Sequence, residues 1–494
     1  MSSTTPKRQL VASNQKVIQY KATSGFIFQI FIKSKLLPSQ ISISELMSCP
    51  LTVTPYSIST VAGFFAKNNK AQGMNLMIKD AENVELPAAS QCGLCHFLHE
   101  QCAPDSENHF RMYHQNQPPA AETVFSTDTY VDRLHSPKSA ERDRRGCDEQ
   151  YIVNGLNVPR PADWKGFLSN DDNKKSLIHL LLEHWSSTEM LEVIQQRSII
   201  FIEAGQAYRI KVEDGVVSKA LLPDLCSKHE ETDVRVIIYI NHIQNTLPHI
   251  RTVRVRPKDS DIFFILLYYA KTFTVDVIFD MGDKLININH LAEDYSQEHI
   301  SALLALHAFT GADCTSTFKG KGKVRPMKLL NKQSKFIEIF AAVGNSWELD
   351  GFVLSGIEEF TCHLYSFGPR VKRVDEAREI RVQKMCGLEL RPGLSIDLST
   401  FPPCKRVLIQ HIKRVNFQVC IWKRAHENNP AIPSPLDNGF HLNMENGKLE
   451  PLWFEGDVIP KALIDVLVEE GTDEDDPEEI HTYINDDEED EYDD

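Results

Sequence analysis

The chain has 494 residues, 42% of them apolar, which is enough for more than one ordinary domain and a sizeable buried core. Its formal charge of −16 sits at one end: residues 469–494 hold 16 Asp or Glu and no Lys or Arg, which leaves 53 acids against 53 bases elsewhere. Net acidity therefore excludes no nucleic-acid partner, because such charge is judged locally. The lack of any apolar run near 18 residues argues against a membrane partner, and the 11 Cys without dense spacing point to a reducing, intracellular setting.

In chain order, Met1 to Leu10 carries Lys7 and Arg8 with no apolar stretch after them, which argues against a secretory signal. Residues 1–75 mix short apolar and polar runs and read as an N-terminal extension. Gly73 to Glu82 has the spacing of a short amphipathic helix. Residues 88–120, rich in Cys, His, Gln and Pro, read as an irregular, divergent loop. Val124-Phe125, running towards Asp128, reads as a strand end, and Ser136 to Arg145 as a charged helix or arm. Leu177, Leu180, Leu181, Leu182 and Trp185 recur at helical spacing. Ile199 to Glu203 and Ala207 to Val212 read as strands. Glu230 to His242 reads as a helix whose acidic entry suits its N-terminus. Val253 to Arg256 and Val275 to Phe279 read as strands, Ile262 to Tyr269 as an apolar segment, and Ser296 to Phe309 as a helix. Strands alternating with helices predict an α/β sheet flanked by helices. Residues 331–468 read as a mostly helical C-terminal region, clearest at Phe336 to Val343 and Lys405 to Arg424. The like-charged block at 469–494 reads as a disordered acidic tail.

Three acidic groups carry candidate chemistry: His229-Glu230-Glu231-Thr232-Asp233, then Lys258-Asp259-Ser260-Asp261 directly after a strand, then Gly311-Ala312-Asp313. Each alone reads as a helix cap, a solvated face or a turn. Their order and spacing bring them to the carboxyl edge of one sheet, where loops converge. Carboxylates gathered there repel one another unless divalent cations sit among them, and Mg²⁺ or Mn²⁺ prefers oxygen ligands. Two such ions about 4 Å apart can activate water and stabilise the leaving oxygen of a phosphodiester.

The pattern resembles the flap endonuclease superfamily, whose PIN-like nuclease domain has an acid-x-acid pair opening a helix, an Asp-x-Asp ending the next strand, and a Gly-x-Asp before a Gly-x-Gly turn. Glu231 and Asp233, Asp259 and Asp261, and Asp313 match in that order, and Phe318-Lys319-Gly320-Lys321-Gly322-Lys323 matches the turn. A closer likeness is to transposon-associated animal proteins, through Leu306-His307-Ala308-Phe309-Thr310-Gly311-Ala312-Asp313, Gln410-His411-Ile412-Lys413-Arg414, Ile421-Trp422-Lys423, Pro433-Ser434-Pro435 and Gly439. Those proteins commonly end in a Cys-rich CXC module, which has no counterpart after Cys420.

The resemblance implies a PIN-like/flap endonuclease-like domain over 76–330, after the extension at 1–75 and before the helical region at 331–468 and the tail at 469–494. It implies a structure-dependent nuclease of mobile-element origin acting on DNA, placed in the nucleus. Glu231, Asp233, Asp259, Asp261 and Asp313 would hold two Mg²⁺ or Mn²⁺ ions. Lys138, Arg142, Arg145, Lys319, Gly320, Lys321, Gly322 and Lys323 would contact phosphates. One departure stands out. The superfamily also draws an Asp from its first strand, and the corresponding stretch here offers only Asp80 and Asp105, with Asp128 as a partial substitute in the catalytic set. The expectation is a two-metal hydrolase slowed or silenced by that loss; the alternative is a non-catalytic nucleic-acid- or protein-binding scaffold. Cys92, Cys95, His109 and His114 fit a loose zinc spacing but lack apolar positions for a finger helix, so zinc is not expected.

Overall fold

A computed structural model describes residues 10–11, 17–18, 41–60, 62–85, 91–96, 122–130, 136–138, 141, 150–151, 155, 161–257, 259–386 and 397–464, with backbone alone at 10–11, 17–18, 91–96 and 386. One eight-stranded sheet organises them. Its strands are β1 (Gln91–His96), β2 (Glu122–Ser126), β3 (Ser198–Glu203), β4 (Gln206–Glu213), β5 (Val216–Leu221), β6 (Thr252–Arg256), β7 (Asp276–Asp280) and β8 (Leu285–Asn287). Their spatial order is β8-β7-β6-β1-β2-β3-β4-β5. The inner five, β7 to β3, run parallel, and antiparallel pairings extend the sheet at both sides.

The parallel centre follows from composition. Ile199, Ile200, Phe201 and Ile202 in β3 are all fully buried, as a strand covered on both faces requires. Side chains alternate between two apolar clusters. Val124, Ile200 and Ile202 join one, while Phe125, Ile199 and Phe201 join the other beneath α2 (Asp171–Trp185). Two tight turns build the β3-β4-β5 meander: Ala204-Gly205 and Asp214-Gly215 all have positive φ, the geometry of two-residue hairpins.

On the first face lie α1 (Gln72–Met77), α3 (Thr232–Thr246), α4 (Ser260–Tyr269) and α5 (Gln297–Phe309). The run Ile262–Leu267 in α4 is buried without exception, because this helix lies inside the main apolar cluster. Beyond come α6 (Val324–Lys332), α7 (Ser334–Ala342), α8 (Gly351–Leu364), α9 (Val374–Cys386) and α10 (Lys405–Lys423). The cluster is continuous from Ile58 and Met74, through Val253 and Phe264, to Phe336, Phe360 and Trp422, so packing does not divide at residue 75 or 330.

The sheet class matches the sequence expectation, and two strands correct it. Gln91–His96, read as irregular, is a central strand paired on both sides. Val216–Leu221, not anticipated, closes the meander. The acidic tail at 469–494, residues 97–120 and most of the charged arm lie outside the described residues.

Candidate metal centre

The carboxyl ends of β1, β2 and β6 lie side by side, with Cys95 in register with Phe125 on one flank and Arg256 on the other. This is the edge where the strand order reverses about β1, a place where α/β sheets open a crevice. Three structural devices deliver acids to it.

The first is the start of α3. Glu231 is its N-cap residue but makes no side-chain cap; Asp128, from the loop after β2, instead accepts the Thr232 amide at 2.9 Å. The cap is thus supplied by another segment, and the Glu231 carboxylate turns to Lys138 at 3.2 Å. Asp233 lies in the first turn. The second device is the start of α4, where Asp259 caps by accepting the Asp261 amide at 3.1 Å. Both helix N-termini direct positive dipole ends at the cluster, which offsets part of the repulsion.

The third device is the loop after α5. Gly311 has φ +111°, and a Cβ there would meet Thr317 atoms at 3.1 to 3.3 Å, so the turn that presents Asp313 needs a glycine. The loop is fastened from outside. Lys67 donates to the carbonyls of Ala312 (3.0 Å) and Asp313 (2.6 Å), and Asn68 to Thr310 O (3.2 Å) and Thr317 Oγ1 (2.7 Å). His411 holds Phe309 O at 2.9 Å from α10.

Together these place Glu231, Asp233, Asp259, Asp261 and Asp313 in one network. The Lys70 ammonium reaches Asp259 at 2.6 Å, Asp261 at 3.5 Å and, more closely, Asp313. The Lys138 ammonium pairs with Glu231 and, more closely, with Asp313. Asp261 accepts from His307 Nε2 at 2.8 Å on its inner side. Ligand atoms of Asp233, Asp259 and Asp261 all lie within 4.8 Å of one another. An all-carboxylate oxygen set of that span suits a hard divalent ion such as Mg²⁺ or Mn²⁺.

Charge states divide the cluster. Burial, then the Asp259 charge, raises Asp233 well above the ordinary range. Burial, then the Asp261 charge, raises Asp259. Burial raises Glu231 against the pull of Lys138. Burial pushes Asp313 upward too, but the ammoniums of Lys138 and Lys70 prevail and hold it well below its usual value. Burial, reinforced by Lys323, keeps His307 neutral, so it donates Nε2–H to Asp261.

No family model matches this chain, and neither does any curated protein or solved structure.

The remaining expected site residues fall differently. Asp128 positions α3 rather than joining the metal-spaced trio. Lys138 is turned into the acids, not out towards a phosphate. In the turn at Gly320 and Gly322, which have φ +70° and +57°, Lys319 is exposed and Lys321 lies 4.2 Å over the Tyr365 ring. Lys323 corrects the phosphate assignment: it is 2% exposed, and its Nζ is spent on His307 O (2.8 Å), Gly311 O (2.7 Å) and Thr310 Oγ1 (3.2 Å). Its ammonium secures the end of α5. The amides of Lys319 and Lys321 already serve Ser57 O and Phe318 O. Arg142, Arg145, Asp105, His109 and His114 lie outside the described residues, as do the Cys92 and Cys95 side chains. Asp80 is exposed at the far end of α1's loop, and β1 itself, Gln-Cys-Gly-Leu-Cys-His, contains no carboxylate. Sequence reasoning missed Lys70, Lys67 and His307. The first two belong to a segment read as an extension, and no local spacing announces pairings across 189 to 246 residues.

Proposed function

We propose that the protein is a metal-dependent nuclease of PIN-like, flap endonuclease-like type, of mobile-element origin, acting on structured DNA in the nucleus. The observation that carries this reading is the convergence of Glu231, Asp233, Asp259, Asp261 and Asp313 on one sheet edge, with Asp233, Asp259 and Asp261 at metal-ligand spacing. Bound Mg²⁺ or Mn²⁺ would supply Lewis acidity towards a phosphodiester and a lowered pKa for water. Asp233, Asp259 and Asp261 would hold the ion, and His307 would fix the rotation of Asp261 from behind. Asp313, held ionised by its two lysines, would keep Lys70 and Lys138 anchored beside the ion-binding acids. Lys319 offers an exposed charge to the DNA backbone.

A second reading is favoured by two particular features: β1 contributes no carboxylate, and Lys70 and Lys138 already compensate part of the acid charge. On that reading the protein binds nucleic acid or another protein without cleaving. The deciding experiment incubates the full chain with flapped, hairpin and single-stranded DNA in Mn²⁺. The nuclease reading expects binding with slow cleavage, roughly 10²-fold below a complete site by analogy with loss of one electrostatic group, and cleavage abolished in Asp313→Ala. Binding with no cleavage by either protein supports the scaffold. Absence of both binding and cleavage rejects the nuclease and the DNA-binding scaffold alike.

A further inference from the structure

We infer that Lys70 is a built-in competitor for the divalent ion, its ammonium occupying the oxygens of Asp259 and Asp261 that an ion held by Asp233, Asp259 and Asp261 would take, so that metal entry and departure of the Lys70 side chain are linked. This rests on the metal-binding reading of the cluster and adds its regulation. The oxygen inventory carries it. Asp261 gives Oδ1 to His307 and turns Oδ2 to Lys70 at 3.5 Å. Asp259 gives Oδ1 to the Asp261 amide and Oδ2 to Lys70 at 2.6 Å. The front oxygens an ion needs on these two residues are the ones Lys70 occupies.

The two lysines of the site are not equivalent in this respect. Lys138 is 11% exposed and bonded to Glu231 and Asp313, away from Asp259 and Asp261. Lys70 is 24% exposed beside a 28% exposed Asp259, so its flexible stem has a way out to water. Its backbone has none to travel: Lys67 and Asn68 are fastened to the 310–317 loop, and the Ala71 amide is held by Asn69 at 3.0 Å. Exchange therefore needs a side-chain swing and no loop movement. With Lys70 out, Lys138 still holds Asp313 in place.

The test titrates Mn²⁺ calorimetrically into chelator-stripped full-length protein, as wild type, Lys70→Met and Lys70→Arg. If Lys70 fills the site in about nine-tenths of molecules, its removal tightens Mn²⁺ binding about tenfold, because apparent affinity scales with the competent fraction. Lys70→Arg, which keeps the charge, should not tighten. Equal affinities for wild type and Lys70→Met overturn the inference while leaving the metal site standing. No Mn²⁺ binding by either protein overturns both. A second measurement needs no variant: Mn²⁺ should accelerate acetylation of Lys70 in the wild type, read by peptide mass spectrometry. An unchanged or slower rate rejects the linkage.

Discussion

Two regions of the molecule bury lysines, and they treat them in opposite ways. At the sheet edge, Lys70 and Lys138 face carboxylates, and both are pushed above their ordinary range even though burial works against them. In the helical layer, Lys323 and Lys423 face neutral oxygens. Lys323 binds the carbonyls of His307 and Gly311 at the end of α5; Lys423 binds Ala341 O at 2.8 Å and Val343 O at 2.7 Å at the end of α7. There burial prevails, lowering Lys323 to about 7 and Lys423 to about 8. Desolvation works against the charge of all four, so the partner's charge decides the direction of the outcome. The carbonyl-bound pair are helix C-caps. The carboxylate-bound pair do what cations do in an acidic cluster, which is why the two regions should respond differently to metal.

The largest effect should come from Asp313→Ala. It removes the shared partner of both site lysines and leaves Lys138 buried with Glu231 as its remaining ion-pair partner among the described residues. Breaking a buried ion pair on one side costs about 3–5 kcal/mol. Urea unfolding in EDTA should show a loss of that order. A loss within experimental error would mean that solvent screens the network and that the contrast between the regions is wrong.

Next, Lys138→Met and Lys323→Met separate the regions directly. The first removes the cation between Glu231 and Asp313, leaving Asp313 with Lys70, and should cost about 3 kcal/mol in chelator. Saturating Mn²⁺ should restore part of it by mass action. The second orphans carbonyls at the end of α5 and should cost about 1–3 kcal/mol. Mn²⁺ should leave that loss unchanged. Equal rescue of both variants by Mn²⁺, read as shifts in unfolding midpoint, would erase the distinction.

How much of this was legible in the sequence depends on the range of the interaction. Glu231, Asp233, Asp259 and Asp261 could be found because helix N-termini and strand ends leave local signatures, and Gly311 marked the turn before Asp313. Asp214-Gly215 is an equally local hairpin signal, and it is what announces β5. β1 was unreadable for another reason. Its sequence, Gln-Cys-Gly-Leu-Cys-His, has neither alternation nor β-branched residues, and its strand state comes from pairing with β2 and β6. Lys70 and Lys138 illustrate the remaining limit. A lysine in a charged or polar stretch reads as solvated, and only the fold brings these two to the acids. Lys323 failed in the opposite sense: a Gly-Lys-Gly-Lys turn reads as four solvent-facing residues, whereas the last lysine folds back under α5.

The smallest predicted effect is a pH dependence with two opposed slopes. Asp233, Asp259 and Glu231 have folded values raised above their unfolded ones, so the metal-free native state binds more protons than the unfolded chain from about pH 4 upward. Their contribution to stability must fall as pH rises through that window. Asp313 has the opposite sign, its contribution being present above about pH 4 and lost only in stronger acid. Lys323, lowered to about 7, binds fewer protons folded than unfolded between there and its ordinary value of 10.5. Its contribution therefore rises with pH from about 7 upward, by at most about 1.4 kcal/mol per pH unit. The check is a set of unfolding free energies from pH 5 to 9.5, for wild type and Lys323→Met, each in EDTA and in Mn²⁺. Metal ligation fixes the carboxylates as anions, so Mn²⁺ should flatten the acid-side fall and change the alkaline rise less, since burial outweighs the charges of Asp261, Lys70 and Asp259 at Lys323. Lys323→Met should reduce the alkaline rise, Lys423 supplying what remains, and leave the acid-side fall. If Mn²⁺ alters the alkaline limb more than the acid-side fall, the charges of the site rather than burial govern Lys323, and the partner-charge rule drawn from the comparison does not hold.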